Sequence, residues 1–266
     1  MTELFKIAPE PRYLFISDVH LGGFSPEKNR EIETDLLSMI DYAESMKMEI
    51  IILGDLFDYW MEYPDRPPRV APSVLERFAA LHKKKPGTLF ITGNHDNWTG
   101  SYLKDIGFDI EHEYRMFDLD NNRIFLMHGD GLSDQVFGLP RPFFHRLIRN
   151  VYFVSLYKKI LPARSGIGLM RLYSRINRQL KAAFKPGNPR LDSWAVHHLK
   201  EKADTVICGH HHKPLFSAFG NKVYMNLGNF FNDRTAGIYA NKSFYLVTWD
   251  GDSNTFTTLN STHFSH

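Results

Sequence analysis

Tyr13-Leu14-Phe15-Ile16-Ser17-Asp18-Val19-His20 runs four apolar residues directly into a carboxylate and an imidazole. The apolar run is short and unbroken. It reads as a buried strand, with the polar residues at its end. The arrangement recurs four times. Ile50-Ile51-Ile52-Leu53 leads into Gly54-Asp55, and Thr88-Leu89-Phe90-Ile91 into Gly93-Asn94-His95-Asp96. Residues 123–127 lead into His128-Gly129-Asp130, and Thr205-Val206-Ile207-Cys208 into Gly209-His210-His211-His212. Open α/β sheets bind ligands outside the carboxyl ends of their strands. One fold would therefore bring all five segments to one edge.

The intervening sequence supports such a fold. Ile32, Leu36, Leu37, Ile40 and Ala43 recur at helical spacing, as do Leu75, Phe78, Ala79 and Leu81. Trp194, Ala195, His198 and Leu199 predict a further helix. Residues 113–119 and 123–127 read as a hairpin across Asp120-Asn121-Asn122. Residues 222–227, 244–249 and 255–259 read as late strands, with a turn at Asp250-Gly251. The expected class is α/β, layered, with a partly parallel sheet flanked by helices. At 266 residues the chain suits one large domain, residues 1–266, carrying an insertion.

Composition narrows the function. Hydrophobic residues make up 43% and charged residues 23%, which excludes a disordered chain or a coiled coil. A single cysteine, Cys208, excludes an internal disulfide and a thiolate metal cluster; it reads as a small core residue. Charges interrupt every apolar run before membrane-spanning length, and residues 1–13 lack the apolar core of a signal peptide. A cytoplasmic protein is expected. The net charge of +2 conceals an asymmetry. Residues 132–190 hold 12 Lys/Arg and one acid, Asp134, for +11, while the remainder carries −9. A basic insertion sits in an acidic body.

The five segments offer carboxylate, imidazole and amide groups and no sulfur, a set suited to Mn, Fe or Zn in a hydrolytic site. Asp18 and His20, two apart on an extended segment, would face the same side and chelate one ion. His210 and His212 share that spacing, and Asp55 is placed to bridge. Two metals about 3.5–4 Å apart clamp the attacking and leaving oxygens of a phosphoryl displacement. His82, His112, His145, His197, His198, His263 and His266 read as surface or satisfied core residues. His211 would point away, and Asp58 and Asp130 read as supporting residues or turn formers. Without cations, several convergent carboxylates would repel one another.

The ordered set D-x-H, G-D, G-N-H-D, H-G-D and G-H-x-H resembles the calcineurin-like metallophosphoesterases. The resemblance spans Asp18 to His212. It implies two divalent metal ions, Mn2+ in the first place and Fe or Zn as alternatives. Asp18, His20, Asp55 and His212 would hold one; Asp55, Asn94, His128 and His210 the other. A hydroxide shared by the metals would be the nucleophile. His95 would contact substrate phosphate, with Asp96 orienting its imidazole, so the implied catalytic group is Asn94, His95 and Asp96.

Specificity would reside in the insertion. On a helical projection of residues 169–185, Leu169, Tyr173, Ile176, Leu180 and Phe184 share one face; Arg171, Arg175, Arg178 and Lys185 share the other. Residues 143–160 add Phe144, Leu147, Ile148, Val151 and Val154 beside Arg146, Arg149, Lys158 and Lys159. These helices either pack their apolar faces on the body, leaving charges in solvent, or form a lid. As a lid, their basic side, with Arg171, Arg175 and Arg178 as substrate-binding residues, would attract phosphorylated substrate. Their apolar side would line an acyl-chain groove. A basic amphipathic helix is also a membrane-surface signature, so peripheral membrane contact is a further reading. A dimer surface is equally compatible, and the oligomeric state is open. Nucleic acid fits poorly with the bulky aliphatics and the acidic body.

Within the superfamily, Ile16-Ser17-Asp18-Val19-His20-Leu21, Gly54-Asp55-Leu56-Phe57-Asp58-Tyr59-Trp60 and the basic helical cap most resemble the UDP-2,3-diacylglucosamine pyrophosphohydrolases of lipid A biosynthesis. The resemblance implies an acylated nucleotide-sugar substrate cleaved to UMP and 2,3-diacylglucosamine 1-phosphate. One residue departs: many members read G-N-R-D, whereas this chain has His95, shorter and titratable. The rival readings are a nuclease or nucleotide phosphodiesterase, a phosphoprotein phosphatase, and a non-catalytic scaffold on the same fold. The last would be expected to have lost ligand residues.

Overall fold

A computed structural model describes residues 12–63, 68–85, 87–184 and 189–262. Within residues 175–200 the side chains of 175, 177–189 and 200 also lie outside the description. The fold is α/β, two sheets packed face to face and flanked by helices.

The strands, in chain order, are β1 (Tyr13–Ile16), β2 (Glu49–Leu53), β3 (Thr88–Ile91), β4 (Phe108–Glu111), β5 (Tyr114–Leu119) and β6 (Asn122–Met127). They continue with β7 (Thr205–Cys208), β8 (Pro214–Phe219), β9 (Lys222–Leu227), β10 (Thr235–Ala240), β11 (Ser243–Asp250) and β12 (Thr255–Ser261). The helices are α1 (Pro26–Ser45), α2 (Pro72–Lys84), α3 (Tyr102–Asp105), α4 (Phe143–Arg149), α5 (Val151–Ile160), α6 (Ala163–Phe184), α7 (Pro189–Glu201) and α8 (Phe230–Asp233).

One sheet has the order β12-β11-β10-β1-β2-β3-β4, and the other β5-β6-β7-β9-β8. β1 to β4 are parallel, and so are β6, β7 and β9. Parallel strands are covered on both faces, which is why β1, β2 and β7 are nearly all apolar. Phe15, Leu53, Ile91, Leu126, Ile207 and Leu227 form the layer between the sheets. Against the outer face of the first sheet lie Ile32, Leu36, Met39, Ile40 and Ala43 of α1. Ser25 caps α1, its hydroxyl accepting from Lys28 N–H, and Pro26 opens the first turn.

The five segments named above all follow strands, and three further strands, β4, β8 and β10, were not expected. β8 opens with Pro214 at a sheet edge, where a missing N–H is tolerated. β10 is Thr-Ala-Gly-Ile-Tyr-Ala, wholly buried but too small in its side chains to show strand-like bulk. The hairpin turn is Asp120-Asn121, both at positive φ (50° and 64°), and Asn122 already pairs with Leu119.

Between β6 and β7 the chain forms α4 to α7. The stretch 143–160 breaks at Asn150, whose side chain accepts from Tyr152 and Phe153 N–H and starts α5. The orientation of α6 corrects the first packing reading. Leu169, Leu172 and Ile176 are 52%, 54% and 47% exposed. The face turned to the body carries Ala163, Ile167, Met170 and Ser174 instead. The projection identified an amphipathic helix but could not say which side docks. Arg175, Arg178, Leu180, Phe184 and Lys185 lie outside the described side chains.

Candidate metal centre

The loops after β1, β2, β3, β6 and β7 converge. His212 Nε2 lies 3.1 Å from Asp18 Oδ1 and 3.3 Å from His20 Nε2. His20 Nε2 is 3.7 Å from Asp55 Oδ2. On the other side of Asp55, His128 Nε2 is 3.3 Å from Oδ2, 3.2 Å from His210 Nδ1 and 3.3 Å from Asn94 Oδ1. Three donor sets could each hold a cation: Asp18–His20–His212, His20–Asp55–His95 and Asp55–His128–His210. Asp55 belongs to two of them and sits between the outer pair. All seven expected ligands are thus brought together, and His211 enters none of the three sets.

The backbone is contorted to do this. Asp18, His20, Asp55, His210 and His212 all have φ between 52° and 74°. Non-glycine residues seldom adopt the left-handed region, and such residues gather at functional sites. Asp18 and His20 therefore converge through left-handed turns rather than along the extended segment expected. Two glycines permit the close approach. A Cβ at Gly93 would stand 2.0 Å from Asp55 Oδ1, and one at Gly209 2.3 Å from Asp18 Oδ2.

The donors are buried: Asp18 and His20 are fully enclosed, and Asp55 and His128 are 1% exposed. Burial alone would raise the Asp18 carboxyl, but hydrogen bonds from His20 and His212 outweigh it and hold it well below its usual value. Burial would lower the His128 imidazole, but Asp55 and Asp18 push it up to about 10. Asp18 Oδ1 is buried and faces ring nitrogens, His212 Nε2 at 3.1 Å and His20 Nε2 at 3.8 Å. A buried carboxylate oxygen among imidazoles fits a divalent cation.

Supporting residues fix the donors. His128 Nδ1 donates to Leu53 O at 2.8 Å, leaving Nε2 toward Asp55. Asn226 donates to Gly209 O and Asn229 to His212 O, holding the histidine loop. Sequence reasoning missed both; their signal was the Asn226-Leu227-Gly228-Asn229 run that closes a strand. Asp130 is clamped by Arg149 (3.0 and 3.2 Å) and Arg141 (3.5 Å), tying the root of the cap to the metal edge.

The role expected of Asp96 is corrected. Its carboxylate accepts from the backbone N–H groups of Leu56, Phe57 and Gly93, and none of these bonds involves the His95 ring. Burial, together with Asp55, raises it to about 7. It braces the loops carrying Asp55 and Asn94. Asp58 orients His95: His95 Nδ1 donates to Asp58 O at 2.7 Å. The Asp58 carboxylate also lies 3.4 Å from His20 Nδ1, and it accepts from Ser174 Oγ at 2.9 Å. Ser174 is a cap residue that the sequence did not flag.

A family model described as calcineurin-like phosphoesterase matches residues 11–214. The chain belongs to that family. Among similar proteins is the UDP-2,3-diacylglucosamine hydrolase of Porphyromonas gingivalis, 30% identical over 58% of this chain and 59% of that protein's length. The enzyme of the same name from Neisseria meningitidis serogroup A is 28% identical over 94% of this chain and 98% of its own length. A solved phosphoesterase from E. coli aligns at 15% identity and TM-score 0.45, covering 96% of this chain and 100% of its own. Family members use divalent metals, and the His/Asp groups here could bind them. Among the described residues, no helix is long and apolar enough to cross a membrane.

Proposed function

We propose that this metallophosphoesterase hydrolyses the diphosphate of UDP-2,3-diacylglucosamine, giving UMP and 2,3-diacylglucosamine 1-phosphate. The carrying observation is Asp55, shared by the His20–Asp55–His95 and Asp55–His128–His210 donor sets, with Asp18 and His212 beside His20 on one side and Asn94 beside His128 on the other. That arrangement suits two divalent ions, and the donor set favours Mn2+, with Fe or Zn alternatives. Bound there, the ions would acidify water and polarise a phosphoryl oxygen.

The chain's own residues do the rest. A carbonyl can only accept, so Asp58 O fixes the proton of His95 on Nδ1 and leaves Nε2 for substrate. His95, on the loop bearing Asn94, clamps a phosphoryl oxygen by charge and hydrogen bonding. The leaving group is itself a phosphate and departs without a proton, so general-acid help from His95 matters little. Asp96 keeps the loops in register.

The cap supports an acylated substrate at a membrane surface. Its outward residues include Phe143 (73% exposed), Val151 (71%), Tyr152 (82%) and Ile160 (65%), interspersed with Lys159, Arg146 and Arg164. Apolar side chains among cations match an interfacial helix on anionic lipid. Below them, Trp60, Met61, Trp98, Met170 and Tyr173 line a recess that reaches Asn94 and His95.

UMP release from UDP-2,3-diacylglucosamine with Mn2+, beside UDP-N-acetylglucosamine and Asp55→Ala, tests the assignment. Acyl-dependent, Asp55-dependent release is expected. Cleavage of a simple phosphodiester without release of UMP from the lipid substrate would overturn it and leave a phosphodiesterase of other specificity.

A further inference from the structure

A second recess of about 200 Å3 opens between α6 and the segments around Tyr59 and Arg69. Arg69, Arg164 and Arg171 line it, with Tyr59, Met61 and Gly168. Elsewhere Arg77, Arg141, Arg149 and Arg234 all hold carboxylates. Arg69, Arg164 and Arg171 enter no ion pair with a carboxylate among the described residues. The Arg171 guanidinium lies over the Tyr59 ring, 4.5 Å from its centroid, which limits its freedom before any ligand arrives. A Cβ at Gly168 would meet nothing within 4 Å, so α6 leaves this space empty.

The recess shares a wall with the one that reaches the candidate metal centre. Tyr59 and Met61 line both it and the recess containing Asn94 and His95. We propose that it binds the second phosphate of a diphosphate diester, the one remote from the attacked phosphorus. The proposal rests on the metal cluster being the hydrolytic site. A diphosphate brings two anionic groups, and the cations of the cluster can neutralise only the one they hold. The other needs donors a few ångströms away. Guanidinium forks match phosphate oxygens in pairs, which ammonium groups do not. The volume suits a phosphate with part of its attached ring rather than a pair of acyl chains. Arg69 and Arg164 thereby join Arg171 as specificity residues for diphosphates over monophosphates.

The test is calorimetric binding of UDP and UMP to the metal-loaded protein. UDP should bind at least about tenfold more tightly than UMP, the gain of one charge-assisted phosphate contact. In Arg69→Ala, Arg164→Ala and Gly168→Phe, that ratio should fall to about threefold or less. Gly168→Phe fills the recess without removing charge, so it separates a local site from the general field of the cap. A UDP:UMP ratio unchanged in all three variants overturns the proposal. Failure of the substrate assignment is distinguishable: UDP binding would remain arginine-dependent while UDP-2,3-diacylglucosamine went uncleaved.

Discussion

The metal edge and the cap present opposite surfaces. At the edge, polar donors are buried: Asp18, His20, Asp55 and His128 are almost fully enclosed. On the cap, apolar side chains face solvent, Tyr152 at 82% and Phe143 at 73%. Each reverses the usual rule that apolar groups are inside and polar ones outside. Convergent buried carboxylates and exposed aliphatics both cost free energy unless something binds them, cations in one case and an apolar surface in the other. The donors sit on loops that follow strands of two sheets, whereas the cap meets the body through the cluster around Trp98, Ile148 and Ala163, the packing of Leu191 and Trp194 of α7, and the Arg141 and Arg149 ion pairs to Asp130.

The sharpest break in this comparison is at Asp55. Asp55→Ala should remove activity by at least about a hundredfold, beyond the usual cost of losing a residue that merely supports a ligand. Metal content of the purified variant, read by elemental analysis, should fall with it. Full metal occupancy and near-normal turnover would show that the shared carboxylate is not the centre of the site. His95→Ala should cost much less than Asp55→Ala if His95 only clamps phosphate; equal losses would refute that role.

The next largest effect concerns the link between the regions. Ser174→Ala leaves Asp58 without its cap partner and should lower kcat/KM about tenfold, since the Asp58 backbone oxygen holds His95. Ser174→Thr, which keeps the hydroxyl, should recover most of it. Metal content should be unchanged in both. A loss of metal in Ser174→Ala would place the serine's role at His20 instead.

These residues also mark what the sequence could reveal. Donors such as Asp18, Asp55 and His210 were legible because each closes a continuous apolar run, and strand ends in parallel sheets converge by topology. Ser174 was not, because a serine within a helix carries no local signal; its meaning comes from Asp58, 116 residues away in the chain. The same holds for Arg149, which reaches Asp130 only after the cap folds back. Which face of α6 docks stayed open in the sequence for a related reason. Periodicity reports two faces, but only the shape of the surface beneath decides which is covered.

A smaller effect sharpens the contrast from the cap side. Replacing Leu169, Leu172 and Ile176 together with Gln should leave thermal stability within about 1 kcal/mol, because exposed positions contribute little to the fold. The same protein should sediment less with anionic phospholipid vesicles. By contrast Ile148→Ala, at a position only 2% exposed, should cost about 2–5 kcal/mol. A large loss of stability in the triple variant would mean that this face is covered within the protein itself, and unaltered sedimentation would remove it from the membrane contact.

The smallest expected effect lies on the far side of the second sheet and tests whether burial of titratable groups is tolerated away from the metal edge. His198 is 4% exposed, stacked on Trp194 at 4.7 Å and edge-on to Phe125, and its Nε2 has no hydrogen-bond partner. Burial lowers its pKa to about 4, with Lys202 adding to the effect. Glu201 opposes the shift without outweighing burial, in contrast to Asp55 and Asp18 at His128. In the unfolded chain the imidazole would take up its proton near pH 6.5. Below that pH the unfolded state binds more protons than the folded one, so stability falls as pH drops from about 6.5 toward 4 and is unaffected above neutrality. His82, also lowered by burial, adds to the loss below pH 6.5. His198→Phe removes the titrating group while keeping a ring against Trp194, so its loss of Tm between pH 7 and 5 should be smaller than that of the unaltered protein. Both are to be measured in excess chelator, where titration of the metal donors is common to the two and cancels in the difference. Parallel Tm curves would show that the His198 imidazole already reaches water, and that uncompensated burial of a titratable ring is not a feature of this fold.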